Sequence, residues 1–198
     1  MQMVHSVVNA DRPLSVPVQS EASDADALLV RNAQEHPEEF ASLYERYFEA
    51  IYRYLQVRVG PADAADLTQQ VFLKAFASLP KYRARGVPFS AWLFRIARNL
   101  ATDHHRLSRR TPDELLPSVI QRNSAASPED SALQTEMQLR LRSLIRNLDG
   151  DKRELLAMRF AGGLSSREIG AVIGKSEAAV KKQLTRILHT IKEKYSES

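Results

Sequence analysis

LSSREIGAVIGKSEAAVKKQLTRILHTI, residues 164–191, is the stretch whose reading decides the fold. Ser165 precedes an amphipathic run and is placed to accept a backbone N–H from its first turn, as an N-cap serine does. The run predicts a helix of about eight residues, Ser166–Ile173, which Gly174 ends. Ser176 then caps a longer helix reaching about Tyr195. Ile169 and Ile173 on the first helix and Val180 and Leu184 on the second are spaced to pack together. Two helices joined by such a short glycine turn have the layout of a helix-turn-helix. On the second helix, Val180, Leu184, Ile187 or Leu188, and Ile191 make the apolar stripe. The opposite face carries Lys182, Thr185, Arg186 and His189 at i, i+3, i+4 and i+7. Long cationic donors there suit major-groove base edges and phosphates. The alternative is an ordinary helical hairpin with a solvated outer face; the glycine turn, the two serine caps and the charge asymmetry favour DNA.

Working outward, the rest of the chain also reads as helix. Ser131–Leu148 is amphipathic through Leu133, Met137, Leu141, Leu144, Ile145 and Leu148, and Asp151–Phe160 is a short helix ended by Gly162 and Gly163. Residues 111–130 lose the pattern, with three prolines, several serines and four acidic side chains against one basic, the composition of a linker. Before it, Ser23 caps a helix to about His36. Pro37 opens a second helix to Val59, which Gly60 and Pro61 end. A third runs from about Ala62 to Leu79, with Leu67, Val71, Phe72, Ala75 and Phe76 on its inner side, and Pro80 stops it. A fourth covers about Ser90–Arg110. Residues 1–22 read as a flexible N-terminal extension. The expected fold is all-α: a four-helix bundle over 23–110 and a helix-turn-helix domain over 131–198, joined by a flexible linker at 111–130.

Composition agrees. Seven glycines and nine prolines in 198 residues are few for a loop-rich β fold. With no cysteine, disulfides, cysteine-based zinc sites and a thiol nucleophile are excluded, and a reducing cytoplasm fits. No apolar run approaches the roughly 20 residues that span a bilayer, so membrane insertion is not expected. The net charge of +4 is unevenly spread. Residues 81–110 hold Lys81, Arg83, Arg85, Arg95, Arg98, Arg106, Arg109 and Arg110 against Asp103 alone, and a second basic cluster lies in 175–194. Two separated basic segments suit two contacts with a polyanion.

The fourth helix divides into two faces. Trp92, Leu93, Ile96, Ala97, Leu100, His104 and Leu107 form the apolar side, and Arg95, Arg98, Asn99, Thr102 and Arg106 the polar one. Amide, hydroxyl and guanidinium groups there can bond bases and phosphates. The preceding loop, with Tyr82, Arg83, Arg85, Phe89 and Ser90, combines aromatics with cations, as single-stranded DNA binding requires. For Trp92 a core role is the favoured reading. Asp103, His104 and His105 do not make a metal site, because adjacent residues on a helix diverge by about 100°. Neither a phosphate-binding glycine loop nor a nucleophile triad is present, so no catalytic residue, metal or cofactor is expected.

Three strings, DLTQQVFLKAF (66–76), PFSAWLFRIARNLATDHHR (88–106) and LSSREIGAVIGKSEAAVKK (164–182), together resemble the extracytoplasmic-function group of bacterial RNA polymerase sigma factors. The resemblance implies that Asp66, Gln69, Gln70 and Lys74 dock on core polymerase, whose β′ and β subunits would be partners. Asn99 and the 82–90 loop would capture a base flipped from the −10 promoter element, with Arg95, Arg98, Thr102 and Arg106 along the strand. Ser176, Lys181, Lys182, Thr185, Arg186 and His189 would lie on the −35 element. An anti-sigma partner, a cytoplasmic location and a stress or envelope regulon are further implications. Departures from the family pattern are Gln70 for Glu, Ala178–Ala179 for Gly-Thr, Lys182 for Ser, the long N-terminal extension, and Gly170 for Ala at a propensity cost of up to about 1 kcal/mol. A stand-alone helix-turn-helix regulator is the rival reading, but it leaves the 66–76 helix and the arginine–asparagine face without a role.

Overall fold

The computed structural model describes residues 19–84, 86–108 and 128–196, with side chains over 25–84, 86–107 and 136–196. Within these residues the regular structure is helical: α1 (Gln19–Glu35), α2 (Phe40–Val59), α3 (Pro61–Ser78), α4 (Phe89–Ser108), α5 (Pro128–Arg146), α6 (Gly150–Leu156), α7 (Ser166–Ile173) and α8 (Glu177–Ser196). The first four form one group and the last four another.

Local chemistry sets most boundaries. Pro37 begins a 3-10 turn that leads into α2. Gly60, at φ +88°, takes a backbone conformation that side chains disfavour, and it hands the chain from α2 to Pro61 at the start of α3. Ser165 forms a full capping box with Glu168, Gly174 closes α7 in the left-handed region at φ +72°, and the Ser176 hydroxyl accepts the Ala179 N–H.

Four boundaries differ from the sequence reading. α1 starts at Gln19, so Ser23 lies inside the helix rather than capping it. Pro80 sits within a 3-10 turn, Leu79–Lys81, that extends α3 rather than stopping it abruptly. α5 begins at Pro128, inside the expected linker, with the proline at the helix start where its missing N–H costs nothing. α6 runs on through a π-helical turn, Ala157–Ala161, closed by the Gly162 N–H on the Ala157 carbonyl. The expected N-terminal extension and most of the linker lie outside the described residues.

In the first group, Leu43, Ile51, Tyr54 and Leu55 of α2 meet Val71 and Ala75 of α3 and Leu93 and Ala97 of α4, all essentially inaccessible. Ile169, Val180 and Leu184 are buried where α7 packs on α8, as their spacing required, with Ile187 beside them, whereas Ile173 is half-buried. Three assignments to the apolar side are corrected, Met137 of α5 among them at 47% exposed. Phe76 is 46% exposed and meets Phe40 edge-on, and Leu107 is 85% exposed near the end of α4. His104 is half-buried and faces Asp63 at 3.4 Å.

The two groups also touch. α4 lies along α7, and the π turn lies against α2, so the buried residues form one continuous cluster. The Phe94 ring, 1% exposed, packs on Tyr54 at 5.3 Å and against Gly162, where an added Cβ would come within 2.6 Å of it.

Candidate nucleic-acid interface

Three helices carry the candidate residues. On α3, Asp66, Gln69 and Lys74 are exposed and Gln70 is half-buried. The Gln70 amide donates to Asp66 Oδ2 at 2.7 Å, a contact that a Glu at 70 would turn into carboxylate repulsion. The Gln69 amide donates to the Tyr44 hydroxyl at 3.2 Å. Beside them Leu73 is 68% exposed and Phe76 half-exposed. Sequence reasoning assigned Phe76 to the core and left Leu73 without a role; Leu73 stands opposite the Leu67–Val71 stripe, which was the available signal.

On α4 the polar face splits. Asn99, Thr102 and Arg106 are exposed, and the Thr102 hydroxyl is held on the Arg98 carbonyl at 2.8 Å. Arg95 and Arg98 turn instead toward the second group. Arg95 donates from Nε to the Ala171 carbonyl at 3.0 Å, and from Nη2 to the same oxygen. Arg98 Nε reaches Glu154 Oε1 at 3.2 Å. The same carboxylate oxygen receives the Tyr54 hydroxyl at 3.4 Å and Arg58 Nη2 at 3.6 Å. Burial, and then the Glu154 carboxylate, push the Tyr54 phenol far above its ordinary value, so it stays a donor. His105 is held below the usual imidazole value, first by burial and then by the Arg58 guanidinium.

The loop before α4 is a packing device. Tyr82 and Phe89, expected to stack on bases, are 7% and 3% exposed. They meet edge-on at 5.7 Å, and both rings pack on Trp92, which is half-buried against the core. The Tyr82 hydroxyl bonds the Val87 carbonyl at 3.0 Å. In this conformation they hold the loop to the helix rather than offering exposed platforms. Arg83 caps the carbonyls of Pro80 and Tyr82 at 3.1 and 2.9 Å. Arg85 lies outside the described residues. Ser90 is buried and donates to Glu168, the capping-box residue of α7.

Nearby, Asp26 accepts from the Tyr47 hydroxyl and pairs with Arg46 at 2.9 Å. Burial raises its carboxyl above the ordinary value, against the pull of Tyr47 and Arg46, and Glu168 adds to the rise.

On α8 the outer face is open. Lys182, Thr185 and Arg186 are exposed. Lys181 pairs with Glu177 at 3.0 Å and His189 with Glu193 at 3.1 Å, one turn away in each case. Ser176 is committed to its cap. Gly170, where the turn doubles back, has the Lys175 carbonyl oxygen 2.5 Å from where a Cβ would sit. The departure from alanine is thereby explained: the turn lies too close for a methyl group.

Two family models match the chain: Sigma-70 region 2 over residues 43–111, and Sigma-70 region 4 over residues 138–191. The ECF RNA polymerase sigma factor BldN of Streptomyces coelicolor is 36% identical over 177 residues, spanning 86% of this chain and 67% of that protein. The ECF RNA polymerase sigma factor SigD of Mycobacterium tuberculosis is 36% identical over 152 residues, spanning 72% and 70%. Among solved structures, CnrH in complex with the cytosolic domain of CnrY matches with a TM-score of 0.63 at 24% identity, over 88% of this chain and 99% of that one, a likeness of fold.

Proposed function

The chain belongs to the ECF RNA polymerase sigma factors, and from that premise we propose which of its faces meets which partner. As a member it works with core RNA polymerase in promoter recognition and transcription initiation. α3 docks on core polymerase through Asp66, Gln69, Gln70 and Lys74, with exposed Leu73 and Phe76 supplying the apolar area. α4 takes the melted −10 strand. Asn99 bonds a flipped base, Thr102 and Arg106 lie along the backbone, and Arg95 and Arg98 join them once free of the second domain. Capture of the base offsets the unstacking cost of a few kcal/mol, so no chemical step is needed. α8 enters the −35 major groove with Lys181, Lys182, Thr185, Arg186 and His189.

One observation carries the reading. α4 and α8 each present amide, hydroxyl or cationic groups to solvent, while α3 bares leucine and phenylalanine beside its polar contacts. The described helices include none long and apolar enough to cross a membrane. The reading places the chain in the cytoplasm, includes a protein inhibitor among its partners, and attaches it to a stress or envelope regulon.

The test is Asn99→Ala, assayed for co-elution with core polymerase and for open-complex formation on a promoter selected from genomic fragments. Open complexes should be lost while core binding persists. Loss of both would make Asn99 a structural residue and remove the −10 assignment.

A further inference from the structure

One side of the second domain carries an apolar ring that packing does not account for. Phe160 is 51% exposed, although Ala157, Met158 and Ala161 of the same π turn are buried. A π turn holds one more residue than an α-helical turn, and such turns are frequent at functional sites. Here the phenyl ring stays outside the core, on the wall of a cleft that Arg159 and Lys181, Leu184, Thr185 and Leu188 of α8 also line. Lys181, Thr185 and Leu188 follow one another at i, i+4 and i+7 and mark one flank of α8, about 100° round the helix from Lys182 and Arg186. With Lys182 and Arg186 on base edges, that flank faces the groove wall, where sugars and phosphates lie. The first turn of α8 is Glu177, Ala178 and Ala179, which carries no side-chain donor. A side-chain grip on the strand therefore has to come from further along the helix. The cleft supplies the groups for it: Lys181 is 3.0 Å from Glu177, and Arg159 is steadied on the Leu164 carbonyl at 3.0 Å.

We propose that Phe160 is a further DNA-contacting residue, and that its cleft seats one deoxyribose of the −35 strand with the adjoining phosphate on Arg159 and Lys181. The inference rests on the reading of α8 given above and deepens it, adding a grip on the backbone to the reading of base edges. The apolar face of the sugar lies on the phenyl ring and on Leu188. The phosphate displaces Glu177 from Lys181, a pair exposed enough to be exchanged at little cost. Such a contact fixes the register of α8 in the groove and carries no sequence information of its own. At about 170 Å³ the cleft is smaller than the roughly 300–1,000 Å³ of a site for a whole drug-sized ligand, which suits a single furanose ring.

The test uses holoenzyme reconstituted with core polymerase on the promoter selected from genomic fragments. Hydroxyl-radical cleavage reports the accessibility of each deoxyribose. The unsubstituted holoenzyme should protect sugars across the −35 element. Phe160→Ala should expose sugars at one edge of the element and leave the others protected. Covering the exposed half of a phenyl ring is equivalent to at most about tenfold in affinity, so binding should weaken about three- to tenfold. The loss should be the same on a promoter whose −35 thymines are replaced by deoxyuridine. Phe160→Leu, which keeps the apolar bulk, should restore most of the protection, and helical circular dichroism checks that both variants are folded. An unchanged footprint in folded Phe160→Ala would overturn the seat. So would a loss that vanishes with deoxyuridine, because the ring would then be reading a thymine methyl. Protection lost throughout the −35 element would make Phe160 a structural residue and remove it from the DNA contact. No −35 protection in the unsubstituted holoenzyme would overturn both readings, with the fault in the assignment of α8.

Discussion

α4 and α8 look alike in sequence, yet the fold treats them differently. Each is a helix of 20 residues with an apolar stripe on one side and cations at helical spacing on the other. α8 keeps its outer face in solvent, and its ion pairs are local, one turn apart. α4 is covered twice. Leu93 and Ala97 face its own bundle, while Ser90, Phe94, Arg95 and Arg98 meet α6, α7 and the π turn. Periodicity shows which face of a helix is polar. It does not show whether that face has already found a partner elsewhere in the chain.

The most direct way to break this comparison is to remove the residue that α4 buries on its second side. Phe94→Ala would leave a cavity between Tyr54 and Gly162 and should cost about 3–5 kcal/mol in urea unfolding. Leu188→Ala on half-buried α8 removes less packed surface and should cost under about 2 kcal/mol. Equal losses would mean that α4 gains nothing from the second domain.

What the residues disclosed in advance follows the same division. The helix-turn-helix was legible almost residue by residue, because its signals are local: a serine cap, a glycine in the left-handed region, an apolar i, i+4 stripe. The bundle was legible for the same reason, apart from Phe76 and Leu107 at its edges. The seam was not. Glu154 lies 56 positions beyond Arg98, and no spacing rule joins them. One signal was present, an aromatic at 94 one turn before Arg98 on a face otherwise read as solvated. Tyr82 and Phe89, buried in this conformation, are a different case. Aromatics mixed with cations describe a base-stacking loop and a packed loop equally well, and only burial separates them.

A smaller effect tests the turn that makes α8 so regular. By helix propensity Gly170→Ala should stabilise α7 by up to about 1 kcal/mol. The Lys175 carbonyl 2.5 Å from the new methyl group argues the reverse, because a backbone atom cannot swing aside as a side chain does. The expected result is a loss of about 1–3 kcal/mol by thermal or urea unfolding, the cost typical of overpacking. A gain would show that the turn relaxes freely, and the departure from alanine would then need another reason.

The smallest effect sharpens the comparison most, because it concerns two serines with the same local role. Ser165 caps α7 and Ser176 caps α8, each accepting a backbone N–H at 3.2 Å. Replacing either by alanine should cost about 1 kcal/mol. They differ in what lies behind them. Ser165 shares Glu168 with Ser90 of α4, whereas the Ser176 cap stays within its own helix and turn. A double-mutant cycle between Ser165→Ala and Ser90→Ala should therefore show a coupling of about 0.5 kcal/mol or more, and the cycle between Ser176→Ala and Ser90→Ala none. The first coupling is carried by one carboxylate that caps a helix in one domain while binding a hydroxyl in the other. If both cycles are additive, Glu168 serves only its own helix and the domains are joined without it, through Glu154, Phe94 and the Arg95 bond to the Ala171 carbonyl. If only the first is coupled, the order of α7 depends on whether α4 lies against it.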